Sequence, residues 1–170
     1  IPKGDTEEVK EDKLRKQIVK MGLARYADVT LSDAGLWKFE KKELDRYGLQ
    51  AAIQDGKTLL FRCPVGTGKT YLAIALIKDL LVQKKKVALR RWPKLLQEML
   101  DTFKADLPMS SVLDPVLNAD VLLLDEINID IKGKASAFEI GKLADIISDF
   151  HGSNRGMILT TNLSEPKIQE

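Results

Sequence analysis

The octapeptide CPVGTGKT, residues 63 to 70, has two glycines, a lysine and a threonine at the spacing of a loop that holds phosphates, G-x-x-x-x-G-K-[ST]. A polyphosphate carries several negative charges. A loop that turns its N–H groups inward at a helix N-terminus meets them with fixed dipoles, and Gly66 and Gly68 let that backbone come close. Lys69 then offers a mobile cation to the outer phosphates, and the Thr70 hydroxyl is placed to ligate magnesium. The expected nucleotide-contacting stretch is therefore Pro64, Val65, Gly66, Thr67, Gly68, Lys69, Thr70 and Tyr71. Cys63 stands where the pattern has its leading glycine, at the point where strand becomes loop. A small side chain fits there, so Cys63 reads as a tolerated substitution rather than a catalytic thiol.

Such a loop predicts a second strand bearing acids, and VLLLDE, residues 121 to 126, supplies it. Asp125 is placed to hold the metal through water, and Glu126 to orient and polarise an attacking water. An Asp-Glu pair, rather than Asp alone, points to hydrolysis instead of transfer to a small acceptor. Asn162 ends the apolar run GMILTTN at the same expected rim, where its amide could touch the terminal phosphate or the water. Lys69, Glu126 and Asn162 are thus the expected catalytic residues, and Thr70 and Asp125 the expected metal ligands.

The elements that must position these residues follow from the hydrophobic pattern. From residue 57 onward, strand and helix alternate: TLLF, then a helix opening on the glycine loop, KVALRR, the helix PKLLQEMLDTFKA, DVLLLDE, a helix within 134–150, and GMILTTN. Alternation of this kind predicts an α/β fold, a parallel sheet with helices on both faces. Four consecutive apolar residues in VLLL suit a strand covered on both sides. Residues 40–54 read as a further helix and residues 22–39 as a lead-in. Residues 1–21 mix both signs of charge and read as a frayed or helical arm outside the core.

Composition sets the outer limits. The sequence is 44% hydrophobic and 31% charged, and 170 residues suffice for one domain with a real core. No apolar run reaches the ~20 residues that span a bilayer, so the expectation is a cytoplasmic protein without membrane contact. A single cysteine excludes an internal disulfide and a CxxC zinc site. The net charge of +2, from 27 basic and 25 acidic residues, is too balanced to announce nucleic-acid binding by itself.

Taken together, CPVGTGKTYLAIAL, VLLLDEI and GMILTTNLSE, preceded by GLARYADVTLSDAGLWKF, resemble the ATPase core of the DnaC/DnaI-type replicative helicase loaders and of the related IstB transposition helper, both AAA+ proteins. The likeness runs over about residues 22 to 165, and the short separation between the loop and the Asp-Glu pair is its more specific part. It implies a P-loop AAA+ fold, ATP or ADP with Mg2+ as ligands, and ATP-switched binding to a DnaB-type helicase and to single-stranded DNA. It also implies ATP-dependent self-assembly. Lys69, Thr70, Asp125, Glu126 and Asn162 fall on the family's Walker A, Walker B and first sensor positions. The sequence departs from the pattern at Cys63, and it stops at Glu170, before the family's arginine finger, last strand and second sensor. The expectation is therefore a core lacking its C-terminal part, with slow hydrolysis alone. A DNA-bound transposition helper, or an idle nucleotide-binding module, are the alternatives.

Three further features admit two readings each. In KKKVALRRW, residues 84 to 92, Lys84, Lys85, Lys86, Arg90 and Arg91 could meet nucleic-acid phosphates while Trp92 stacks a base, or they are a solvated turn beside a core tryptophan. Tyr26, Trp37 and Phe39 could wall an adenine or pack in the core. His151, the only histidine, reads as a favourable charge at a helix end or a surface group.

Overall fold

The computed structural model of the chain describes residues 6–20, 23–28, 46–83, 85–129 and 135–163. In chain order its elements are α1 (Glu7–Lys20), a 3-10 turn (Ala24–Tyr26), α2 (Arg46–Gln54), β1 (Thr58–Arg62), α3 (Lys69–Val82), β2 (Val87–Arg91), α4 (Trp92–Lys104), α5 (Ser110–Leu117), β3 (Val121–Asp125), α6 (Ala137–Gly152) and β4 (Gly156–Thr161). The strands form one parallel sheet in the order β1-β4-β3-β2. The expected α/β architecture with helices on both faces is present.

Successive side chains of a strand point to opposite faces, and β3 uses this to serve two cores at once. Val121 and Leu123 join Leu72, Leu76, Ile77 and Leu80 of α3 on one face, and Leu122 and Leu124 join Trp92, Leu95, Met99, Ile146 and Phe150 of α4 and α6 on the other. All five residues of β3 are buried. A strand walled in this way holds its last residue, Asp125, in a fixed place. At the opposite end of the sheet Gly156 opens β4 where α2 presses on it: a Cβ there would lie 2.3 Å from the Ile53 carbonyl oxygen.

Several expectations meet a different structure. Residues 7–20 form a helix, but it is not excluded from the core: Leu14 and Ile18 are 2% and 0% exposed and pack in the α3 cluster. Two apolar residues four apart seat this charge-rich helix, and its described charged side chains are exposed. No element is foreseen over 106–120, yet α5 forms there despite Pro115. The proline removes only the donor for the exposed Ser111 carbonyl, and Val116 is buried in return. KKKVALRRW does not make one patch. Lys85 and Lys86 precede β2 and Arg90 and Arg91 end it, so the strand's length separates them, and Trp92 is 1% exposed in the core with its indole N–H donated to Glu139. Base stacking by Trp92 is thereby excluded. Residues 40–45 of the expected α2, and Lys84, Trp37 and Phe39, lie outside the described residues. His151 is exposed in the last turn of α6. Among the described residues no helix is long and apolar enough to cross a membrane.

Candidate nucleotide site

β1 and α3 position the loop, and the loop's own bonds shape it. Gly66 and Gly68 take φ of +83° and +92°, a left-handed region open mainly to glycine. A Cβ added to Gly66 would have nothing within 4 Å, so the space in front of that glycine is free for a ligand. The Thr67 hydroxyl donates to the Pro64 carbonyl at 2.9 Å, and Lys69 Nζ to the carbonyls of Cys63 and Pro64 at 2.7 and 2.8 Å. The lysine is thus only 6% exposed, folded back under its own loop. Cys63 contributes its backbone oxygen there.

Asp125 closes the site from behind. It is 0% exposed, and its Oδ1 accepts from the Thr70 hydroxyl at 2.9 Å and from the Thr160 hydroxyl at 2.6 Å. Its Oδ2 is buried without a hydrogen-bond partner among the described residues. Burial raises its pKa above the ordinary carboxylate value, with the two hydroxyl bonds opposing that rise. Among the described residues no cluster of three His, Cys, Asp or Glu could hold a metal alone. The donor set is instead one carboxylate and one hydroxyl, which suits an ion that keeps water and ligand oxygens around it, as magnesium does.

Glu126, the next residue, turns the chain with φ of +62°. Its N–H is held by Thr160 Oγ1 at 3.0 Å, and its carboxylate pairs with Arg91 at 2.5 Å. Asn162 follows β4, half-buried, with its N–H donated to Asn128 Oδ1 at 2.9 Å. A cavity of about 460 Å³ gathers these groups. Gly66, Gly68, Lys69 and Thr70 line its loop end; Glu126, Thr160 and Asn162 its sheet rim; and Val65, Tyr71, Arg25 and Tyr26 the remainder. That volume lies in the range of small-ligand sites.

The structure therefore brings together Val65, Gly66, Gly68, Lys69, Thr70, Tyr71, Glu126 and Asn162, with Asp125 directly behind Thr70, while Pro64 and Thr67 serve the loop's internal bonds. Tyr26 does reach the cavity, meeting Tyr71 edge to face with ring centres 6.3 Å apart, and Arg25 lies over the Tyr26 ring at 4.7 Å. Sequence reasoning missed Arg25, Thr160, Asn128 and the partner of Glu126. Thr160 could have been found from register: Leu124 pairs Leu159, which sets Asp125 beside Thr160. Arg91 likewise pairs Asp125 across β2 and β3, one residue from Glu126.

With this geometry in hand, known proteins place the chain. It is 28% identical over 109 residues to the replicative helicase loader DnaC of Escherichia coli strain K12, covering 64% of this chain and 44% of that protein. The chain thus matches less than half the length of these curated relatives. Among solved structures, a crystal structure of the DnaC helicase loader superposes with a TM-score of 0.66 at 21% identity, covering 84% of this chain and 81% of the other. AMPPCP-bound DnaA from Aquifex aeolicus gives 0.61 at 20% identity, covering 74% and 42%. At such identities these likenesses speak for the fold alone, that of P-loop AAA+ domains. The family model described as IstB-like ATP binding protein matches residues 7–168, nearly the whole sequence, and the chain belongs to that family.

Proposed function

We propose that the chain binds ATP with Mg2+, hydrolyses it, and uses the cycle to assist a DnaB-type replicative helicase onto single-stranded DNA. The observation that carries the hydrolytic part is the buried, half-satisfied Asp125 behind Thr70, with Glu126 on the same cavity. When bound, the metal neutralises charge on the outer phosphates. The protein's own groups do the rest. The loop amides of Gly66 to Thr70 hold the phosphates, and Lys69 exchanges a loop carbonyl for a phosphate oxygen. The Thr70 hydroxyl keeps its proton on Asp125 and offers a lone pair to the cation. Glu126 accepts a proton from the attacking water, and the Asn162 amide orients it. Glu126 is tied to Arg91, so turnover by the isolated chain is slow until that tie is released.

The helicase assignment rests on the relatives named as helicase loaders. The test is ATP turnover by the chain alone, with a hexameric DnaB-type helicase, and with single-stranded DNA, alongside co-elution of the helicase. Stimulated turnover and co-elution are expected. The family description favours one second reading, a transposition helper, which predicts ATP-dependent filaments on duplex DNA in place of helicase binding. Nucleotide binding without turnover under any of these conditions would leave an interaction module.

A further inference from the structure

We infer that Thr160 is the positioning residue of the site: through one hydroxyl it fixes both the Asp125 carboxylate and the backbone turn that aims Glu126. The inference rests on the proposed hydrolysis for its kinetic part only. β3 and β4 run in parallel register to Leu124↔Leu159, where the regular pairing stops. Beyond that point the chain must leave the sheet to present Glu126, and Glu126 does so at φ of +62°, a conformation side-chain-bearing residues adopt only when held.

The hold comes from a single residue. Thr160 Oγ1 accepts the Glu126 N–H at 3.0 Å, and the Thr160 carbonyl accepts the Ile127 N–H at 2.8 Å. The same hydroxyl donates to Asp125 Oδ1 at 2.6 Å. A hydroxyl has one proton and two lone pairs. Here the proton is spent on the metal-site acid and one lone pair on the amide of the general base. The two carboxylates are therefore referenced to one oxygen atom on a neighbouring strand that is itself buried along its whole length. Thr160 also lines the cavity, so its position is set by β4 and read out at the ligand.

Thr160→Val keeps the shape and the backbone carbonyl and removes the hydroxyl; Thr160→Ser keeps the hydroxyl. Misplacing a reacting group by about 1 Å costs on the order of 10²-fold in rate. Thr160→Val should therefore lower kcat by about 10- to 100-fold while Kd for ADP measured without Mg2+ stays within about threefold, and Thr160→Ser should retain kcat within about threefold. Amide hydrogen exchange supplies a readout independent of turnover. The Glu126 amide should exchange at least about tenfold faster in Thr160→Val than in wild type or Thr160→Ser, with the amides of Leu122 to Leu124 unchanged. Unaltered Glu126 exchange in Thr160→Val would overturn the inference, as would a Thr160→Ser protein as impaired as Thr160→Val. Should Thr160→Val not fold, the Thr160→Ser protein and wild type still decide it: a slow-exchanging Glu126 amide in both supports the hydroxyl clamp, and a fast one in either refutes it. Wild-type protein that binds no nucleotide would remove the proposed function, whereas the exchange result would stand by itself.

Discussion

Lys69→Ala tests the phosphate site most directly, because the structure fixes what the lysine gives up as well as what it gains. In the ligand-free protein Nζ donates to Cys63 O at 2.7 Å and Pro64 O at 2.8 Å. Turning Nζ toward a phosphate exchanges one of these two carbonyl bonds for a bond to a phosphate oxygen. One unit charge about 4 Å from a phosphate charge at an effective dielectric of about 20 gains roughly 4 kcal/mol. Exchanging one charge-assisted bond to a carbonyl costs back about 1.5 kcal/mol. The surplus of about 2.5 kcal/mol corresponds to a loss of roughly 60-fold in affinity on substitution to alanine. The two carbonyls left behind sit on a loop reached by water, Pro64 being exposed and Cys63 half-buried, so the fold loses little. Titration calorimetry with ATP and Mg2+, with melting curves run beside it, reads both quantities. ATP affinity within threefold of wild type, in a protein of unchanged melting temperature, would refute the assignment of Lys69 to the phosphates.

Asp125→Asn tests the metal side through stability. Burial raises the Asp125 pKa, so the folded chain binds that proton more tightly than the unfolded chain. Its contribution to stability is then fully present below the ordinary carboxylate value and lost as pH rises through the raised one. In the absence of metal, Asp125→Asn should melt at or above wild type at pH 7, with the difference shrinking on acidification, and Mg2+ should raise the melting temperature of nucleotide-bound wild type only. A variant less stable than wild type at pH 7 without metal would contradict the charge argument. Cys63→Gly should leave ATP affinity within about threefold in the same calorimeter, since only the backbone oxygen of Cys63 is used. A larger loss would give the thiol a part in binding. Gly156→Ala should destabilise the fold by roughly 2 kcal/mol or more, because its Cβ would meet the Ile53 carbonyl at 2.3 Å; a melting temperature equal to wild type would mean α2 yields there.

The parts of this molecule that the sequence makes legible are those where one local pattern determines the outcome. CPVGTGKT between an apolar strand and an apolar helix has few other foldings, and VLLL can hardly be anything but a strand between two cores. The rest depends on neighbours distant in the chain. Leu14 and Ile18 are sparse among charges and look dispensable until α3 is packed against them. The α5 segment shows no clear helical pattern around Pro115, and the bond its ring forfeits falls on the exposed side of the helix. The sequence leaves Arg91 two readings, nucleic-acid contact or solvated charge, and register with β3 carries it to Glu126. Thr160 belongs to the site because the parallel register of β4 against β3 sets it beside Asp125.

The charges around Asp125 and Glu126 give the site its direction. Arg91 lies opposite Asp125 in the β2–β3 register, and an arginine there could have paired the buried carboxylate. Its guanidinium goes to Glu126, and Asp125 receives only two neutral hydroxyls. Neutral donors stabilise a carboxylate without cancelling its charge, so burial still pushes the Asp125 pKa up, and its second oxygen stays without a donor among the described residues in a place shielded from water. That combination is costly in an empty site and favourable once a cation enters. Glu126 is the reverse case: about a third exposed and already compensated, it loses little while the site is empty. Adjacent carboxylates that sequence alone cannot tell apart are thus divided by their partners: Glu126 pairs with the Arg91 guanidinium, and Asp125 is held by two hydroxyls.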